Sequence, residues 1–155
     1  MSATAPSPSP SPSPSPSDRT PRDVLARYRR AVLALDADAL ADLYALDAVH
    51  EFPFRFPGFP ERYEGREAVR AGYRAAWGAS PARPTAVEEG ALHVSADPEV
   101  LVVEQVVRGE IAGGRGPFAV PGLLVLRVRD GLIVHVRDYM DGLAASGART
   151  SAEQE

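Results

Sequence analysis

Residues 124–141 read LVLRVRDGLIVHVRDYMD, and no other stretch limits the fold so tightly. Two alternating, β-branched runs flank one Asp-Gly turn signal, which is the pattern of a β-hairpin. A three-residue loop of Arg129, Asp130 and Gly131, with Gly131 left-handed, would set Leu126 against Val134, Leu124 against Val136 and Gly122 against Asp138. Leu124, Leu126, Val128, Leu132, Val134 and Val136 then share one face, while Arg127, Arg129, His135 and Arg137 share the other. A two-residue loop would mix the two sets. In the first register Asp138 takes the next place in the apolar row, across from a glycine that leaves it room.

The preceding segments supply the rest of an α+β domain. Thr20, Pro21 and Asp23 form a helix start, and Val24, Leu25, Tyr28, Val32 and Leu35 recur at helical spacing, which puts Tyr28 on the buried face. A short second helix follows in DADALADLY, capped by Asp36 or Asp38, with Leu40, Leu43 and Tyr44 inward. The stretch AVHEFPF predicts a strand with His50, Phe52 and Phe54 on one face and Val49 and Glu51 on the other; Pro53 implies an edge or the end of pairing. A third helix in EGREAVRAGYRAAWG carries the stripe Val69, Tyr73, Ala76 and Trp77. Further strands are expected over 85–94, 100–111, 118–129 and 132–141, separated by DP, GGRG and DG turn signals. Three helices first and a curved antiparallel sheet afterwards make the expected architecture a sheet wrapped on helices.

The flanks differ in character. Residues 1–18 are dominated by a Ser-Pro repeat with nothing to bury, so a disordered tail is expected there, with an ordered domain over 19–147 and a second disordered tail over 148–155. The N-terminus lacks the basic start and apolar stretch of a signal peptide, and no apolar run approaches membrane-helix length, so a cytoplasmic protein without membrane contact is expected. With a net charge of −4 and no basic cluster, nucleic acid is not an expected partner. The chain has no cysteine, which excludes disulfides and thiolate chemistry.

Taken in order, VLARYRRAVLALDADALADLYALDAVHEFP, YEGREAVRAGY and LVLRVRDGLIVHVRDYMD resemble the SnoaL-like branch of the nuclear transport factor 2-like superfamily, from about Arg22 to Gly147. That resemblance implies the cone-shaped α+β fold shared with ketosteroid isomerases, and a homodimer formed through the outer sheet face. Tyr28 falls where ketosteroid isomerases keep their oxyanion-hole tyrosine. Phe52 replaces their general-base aspartate, and Leu124 replaces their protonated aspartate, so the steroid isomerase reaction as that family performs it is not expected. The segment GLIVHVRDYMD is similar to the phenazine-biosynthesis PhzA/PhzB group, in which an acidic residue at the position of Asp138 serves as general acid/base. Here an Asp stands for Glu, one methylene shorter.

Three residues are candidates for chemistry. Asp138, enclosed by Val136, Leu124 and aromatic rings, is the candidate acid/base; its plain reading is a strand-end aspartate that is paired with an arginine such as Arg137 or simply solvated. His50 is its candidate proton partner or, alternatively, a hydrogen-bonded wall residue. Tyr28 is the candidate oxyanion donor or a core tyrosine. Trp77, Leu124, Val136 and the cluster of Phe52, Phe54, Phe56 and Phe59 suit a small hydrophobic, ring-containing ligand, although core packing also explains such rings. His50 with Glu51 and His135 with Asp138 are poor metal pairs, because alternation points each pair apart. No nucleotide-binding or nucleophile motif occurs, so no metal or cofactor is expected. The expectation is an isomerase or polyketide cyclase-like enzyme of small-molecule metabolism, against the alternative of a non-catalytic binding module of the same fold.

Overall fold

The computed structural model describes residues 9, 12, 15–55 and 58–150. Helix α1, Pro21–Ala34, begins with a capping box: Asp23 N–H donates to Thr20 Oγ1 at 3.2 Å and Thr20 N–H donates to the Asp23 carboxylate at 2.9 Å. Its buried face is Val24, Leu25, Tyr28 and Ala31. Leu35, with φ 52°, ends the helix, and Asp36 at once caps α2, Ala37–Ala41, by accepting from Ala39 N–H at 2.9 Å. Tyr44, expected at the end of that helix, instead opens β1, Tyr44–Glu51. The helix is only five residues long, too short to carry a second buried turn that would hold Tyr44.

Strand β2, Arg62–Glu64, and helix α3, Arg66–Ala79, precede four long strands: β3, Ala82–Val94; β4, Val100–Ile111; β5, Gly116–Arg129; and β6, Leu132–Met140. They form one sheet in the order β2-β1-β6-β5-β4-β3. Three successive hairpins make β3 to β6 antiparallel, whereas β1 pairs with β6 in parallel, His50 opposite Val136. The sheet is therefore mixed rather than wholly antiparallel. Local alternation is blind to this, because it depends on where α3 returns the chain. Register shifts at Pro84/Ala86 and Glu89/Leu92 in β3 bend the long strands around α1 and leave the curved sheet unclosed.

The hairpin of β5 and β6 departs from the expected register. Asp130 and Gly131 both have positive φ, 51° and 73°, which is the combination of a two-residue type I′ turn. Arg129 pairs with Leu132 and Val128 with Ile133, and a bulge at the next step sets His135 against Arg127. The bulge resolves the mixing of faces that a two-residue loop would otherwise cause. Ile133 takes the core place expected for Val134, and beyond the bulge Val136 meets Leu126 while Asp138 meets Leu124, not Gly122.

The core joins α1, α2 and α3 to the inner face of the sheet, with Leu40, Tyr44, Val69, Val103, Leu126, Ile133 and Val136 fully buried. On the outer face Arg127 bonds Asp97 at 2.8 Å and Glu99 at 3.2 Å, Arg129 bonds Glu99 at 2.9 Å, and His135 meets Glu51 at 3.0 Å. Two tail expectations are modified. Pro16–Asp18 forms a 3₁₀ turn whose Pro16 carbonyl lies against Gly131, and Gly142–Thr150 forms helix α4 where the chain was expected to lose order after 147. Apart from residues 9, 12 and 15, the remainder of both expected tails lies outside the described residues.

Candidate active site

Strand β1 carries His50 into the interior, where it has no exposure to solvent. A buried imidazole must have both nitrogens satisfied, and here two tyrosines do it: Tyr44 Oη lies 2.8 Å from Nδ1 and Tyr73 Oη 3.2 Å from Nε2. Asp138 Oδ2 stands 3.7 Å from the same Nε2. An ionised carboxylate accepts only, so it favours the proton on Nε2, leaving Nδ1 to accept from the Tyr44 hydroxyl. The ring of Phe52 lies tilted against the imidazole at 4.8 Å and that of Tyr73 meets it edge-on at 5.4 Å.

Above this cluster opens a largely apolar cavity of about 560 Å³, bounded by α1, α3 and the inner face of the sheet. Tyr28, Phe52, Trp77, Leu124 and Asp138 all line it. The Asp138 side chain is 13% exposed, so it borders the cavity without lying open to bulk water. Burial raises the pKa of Tyr28, and the charge of Asp138 raises it further, against the opposing effect of the Tyr73 and Tyr44 hydroxyls. Burial also pushes Tyr44 and Tyr73 well above the ordinary phenol range, with Tyr28 and Asp138 adding to it. All three therefore keep their protons; toward His50, Tyr44 donates to Nδ1 while Tyr73 accepts from Nε2–H.

His50 stands behind the cavity wall as a contact of Asp138, not on the surface of the cavity. Two expected wall residues stand elsewhere. Val136 is wholly buried in the core beneath the cavity. Phe54 is 62% exposed and packs edge-on against Tyr139, 5.4 Å away on the other side of the sheet, because β1 ends at Glu51 and the alternation expected through Pro53 stops there. Phe59 does line the cavity, and Phe56 lies outside the described residues. Asp138 pairs with His50 and not with Arg137, which projects exposed from the opposite face.

Sequence reasoning treated Tyr44 and Tyr73 as core residues and passed over Arg29 and Gln105, which also border the cavity. Helical and strand periodicity report which face a residue occupies, and nothing in it tells a packed tyrosine from one that holds an imidazole. Among the described residues no three His, Cys, Asp or Glu side chains converge as a metal site would require, and no helix is long and apolar enough to cross a membrane.

An unclosed α+β cone, with helices over its concave face and a ligand-sized apolar cavity that ends at an acid beside an imidazole, defines the ketosteroid isomerase-like class of fold. The chain belongs to the SnoaL-like domain family, which matches residues 25–136. An uncharacterised PhzA/B-like protein of Pseudomonas aeruginosa is 32% identical over 122 residues, covering 79% of this chain and 84% of that protein. Among solved structures, a Bacillus subtilis protein provisionally described as an isomerase superposes with a TM-score of 0.74 at 25% identity, over 82% of this chain and 90% of its own. A Mycobacterium tuberculosis protein in complex with estradiol-17β-hemisuccinate does so with a TM-score of 0.66 at 27% identity, over 81% of this chain and 98% of its own.

Proposed function

We propose that this chain is a cofactor-independent proton-transfer enzyme of small-molecule metabolism acting on a small hydrophobic, ring-containing carbonyl compound. The observation that carries this reading is the Asp138 carboxylate, held 3.7 Å from His50 Nε2 at the wall of an apolar cavity that Tyr28 shares. Asp138 removes a proton from the carbon next to a substrate carbonyl, and the electron pair left by the C–H bond moves onto that oxygen as an enolate. Tyr28 donates its O–H to the developing oxyanion. Return of the proton to another carbon gives isomerisation; attack of the enolate carbon on an electrophile in the same molecule gives ring closure. His50, tied by Tyr44 and Tyr73, fixes the carboxylate's orientation and takes part in proton exchange with it.

The Val102, Leu123 and Val125 side chains on the outer sheet face are half-buried among the charged pairs of that face, and they support a homodimer formed there. A second reading, a ligand-binding module without catalysis, is favoured by Phe52 and Leu124. Both are buried hydrocarbon at the two positions where ketosteroid isomerases carry carboxyls. The deciding experiment identifies small molecules that co-purify with the protein, then follows binding and conversion of those compounds by wild type and Asp138→Asn. Conversion by wild type that disappears in the variant supports the enzyme. Unchanged conversion in the variant removes the role given to Asp138, and binding without conversion by either protein favours the module.

A further inference from the structure

Helix α3 meets the cavity through its smallest side chains. Gly72, Ala75, Ala76 and Ala79 recur at helical spacing and all line it. The last three carry a methyl group and Gly72 carries none, although alanine suits the middle of a helix better than glycine does. The cause lies in β2. A Cβ on Gly72 would fall 2.3 Å from Tyr63 Cε1 and Cζ and 2.8 Å from Tyr63 Oη, the nearest atoms it would meet beyond its own helix. A Cβ on Gly78, in the same helix, would meet nothing within 4 Å. The Tyr63 ring therefore lies in a notch that only a glycine leaves open.

Tyr63 reaches that notch from a fixed place. Its backbone pairs with His50 across β1 and β2, so both side chains rise from the inner face of the sheet. Its ring meets Phe52 edge-on at 5.8 Å and lies 5.9 Å from the ring of Tyr73 and 6.4 Å from the imidazole. Phe52, Tyr63, Gly72 and Tyr73 all line the cavity, as Asp138 does. The seated ring thus forms part of the wall at the end where the imidazole holds the carboxylate.

We propose that Tyr63, seated on Gly72, is a specificity-determining residue of the cavity: it fixes the width beside Asp138 and so the widest ring system that can reach the carboxylate. The assignment rests on the cavity being the ligand site, as argued above. The clash at Gly72 involves only the far end of one side chain, so a methyl group there displaces the ring rather than the helix. Phe52, His50 and Tyr73 stand against the ring on its packed side, and the displaced ring turns into the cavity. A wide ligand is then excluded while a narrow one still enters.

Two measurements test this, and one of them needs no ligand. In urea unfolding, Gly72→Ala should lower the midpoint of the wild-type chain and raise that of Tyr63→Ala, because alanine regains its helical advantage once the ring is gone. Fluorescence titration with two neutral probes, 2-naphthol and the wider 1-hydroxypyrene, reads the cavity, since Trp77, the one tryptophan, lines it. Gly72→Ala should weaken binding of 1-hydroxypyrene about tenfold and of 2-naphthol by no more than about twofold, and adding Tyr63→Ala should bring 1-hydroxypyrene back. Should Gly72→Ala not fold, Tyr63→Ala alone carries the test, with 1-hydroxypyrene bound more tightly relative to 2-naphthol than in the wild type. A raised midpoint for Gly72→Ala in the wild-type chain overturns the notch. A lowered midpoint with an unchanged ratio of the two affinities, whether both persist or both fall, overturns the specificity role. A wild type that binds neither probe removes the ligand cavity and the role of Tyr63 with it, while the midpoints still report the notch on their own.

Discussion

His50 and Asp138 meet at 3.7 Å although they lie on different strands, because β1 runs parallel to β6 with His50 directly opposite Val136. Asp138 is the next inward position beyond Val136, so the parallel register alone brings the carboxylate over the imidazole. An antiparallel pairing would carry β1 past β6 in the other sense and give His50 a different neighbour at this step.

Asp138→Asn keeps the shape of the side chain and removes its capacity to accept a proton. Turnover of a converted ligand is expected to drop by at least about a hundredfold, with its dissociation constant changed by no more than a few-fold. Steady-state kinetics beside calorimetric binding separates the two quantities. A parallel loss of both would make Asp138 a binding residue.

Tyr44→Phe leaves His50 Nδ1 buried without its partner. The expected cost is about 1–3 kcal/mol in urea unfolding, far more than loss of an exposed hydroxyl would bring. A variant as stable as the wild type would mean that the Tyr44 and His50 bond contributes nothing net.

Glu51 titrates lower than an ordinary glutamate. Partial burial pushes its carboxyl upward, but hydrogen bonds from His135 and Arg62 outweigh that. Because the folded-state pKa is the depressed one, the stabilisation is present above the unfolded value of 4.5 and is lost as pH falls through the folded value. Glu51→Gln should therefore cost up to about 1 kcal/mol at neutral pH, and the two stability curves should converge toward pH 3. Curves that separate as the solution is acidified contradict the pairing.

Gly131→Ala tests the turn and the 3₁₀ segment together. The residue holds φ 73°, which costs an alanine about 1–2 kcal/mol, and a methyl group there would collide with the Pro16 carbonyl. A lowered melting temperature with faster tryptic cleavage at Arg19 is expected. A drop in melting temperature without faster cleavage would assign the whole cost to the turn.

The order of helices and strands was legible because each segment carries its own period, and β4 and the start of β6 fall where alternation puts them. The inward direction of Asp138 was legible too, though for a reason only partly correct. It depends on a bulge that shifts the register by one residue, and a bulge leaves no mark in the alternation of Val134, His135 and Val136. The partner of Asp138 was out of reach, since strand order and direction arise from packing over the whole chain. Phe54 shows the opposite failure: a pattern of rings outlasted the strand that would have aimed them, and Pro53 was the sign that it had ended.

The seam between β1 and β6 also has a temporal consequence. Its contacts join residues such as Glu51 and His135, separated by 84 positions, and no local hairpin can bring them together early. Closing so long a loop opposes folding until many other contacts exist, so the strand pair completes late on any folding route. In chain order the imidazole and both of its tyrosines are made well before the carboxylate, so the acid is the last of the four groups to be synthesised.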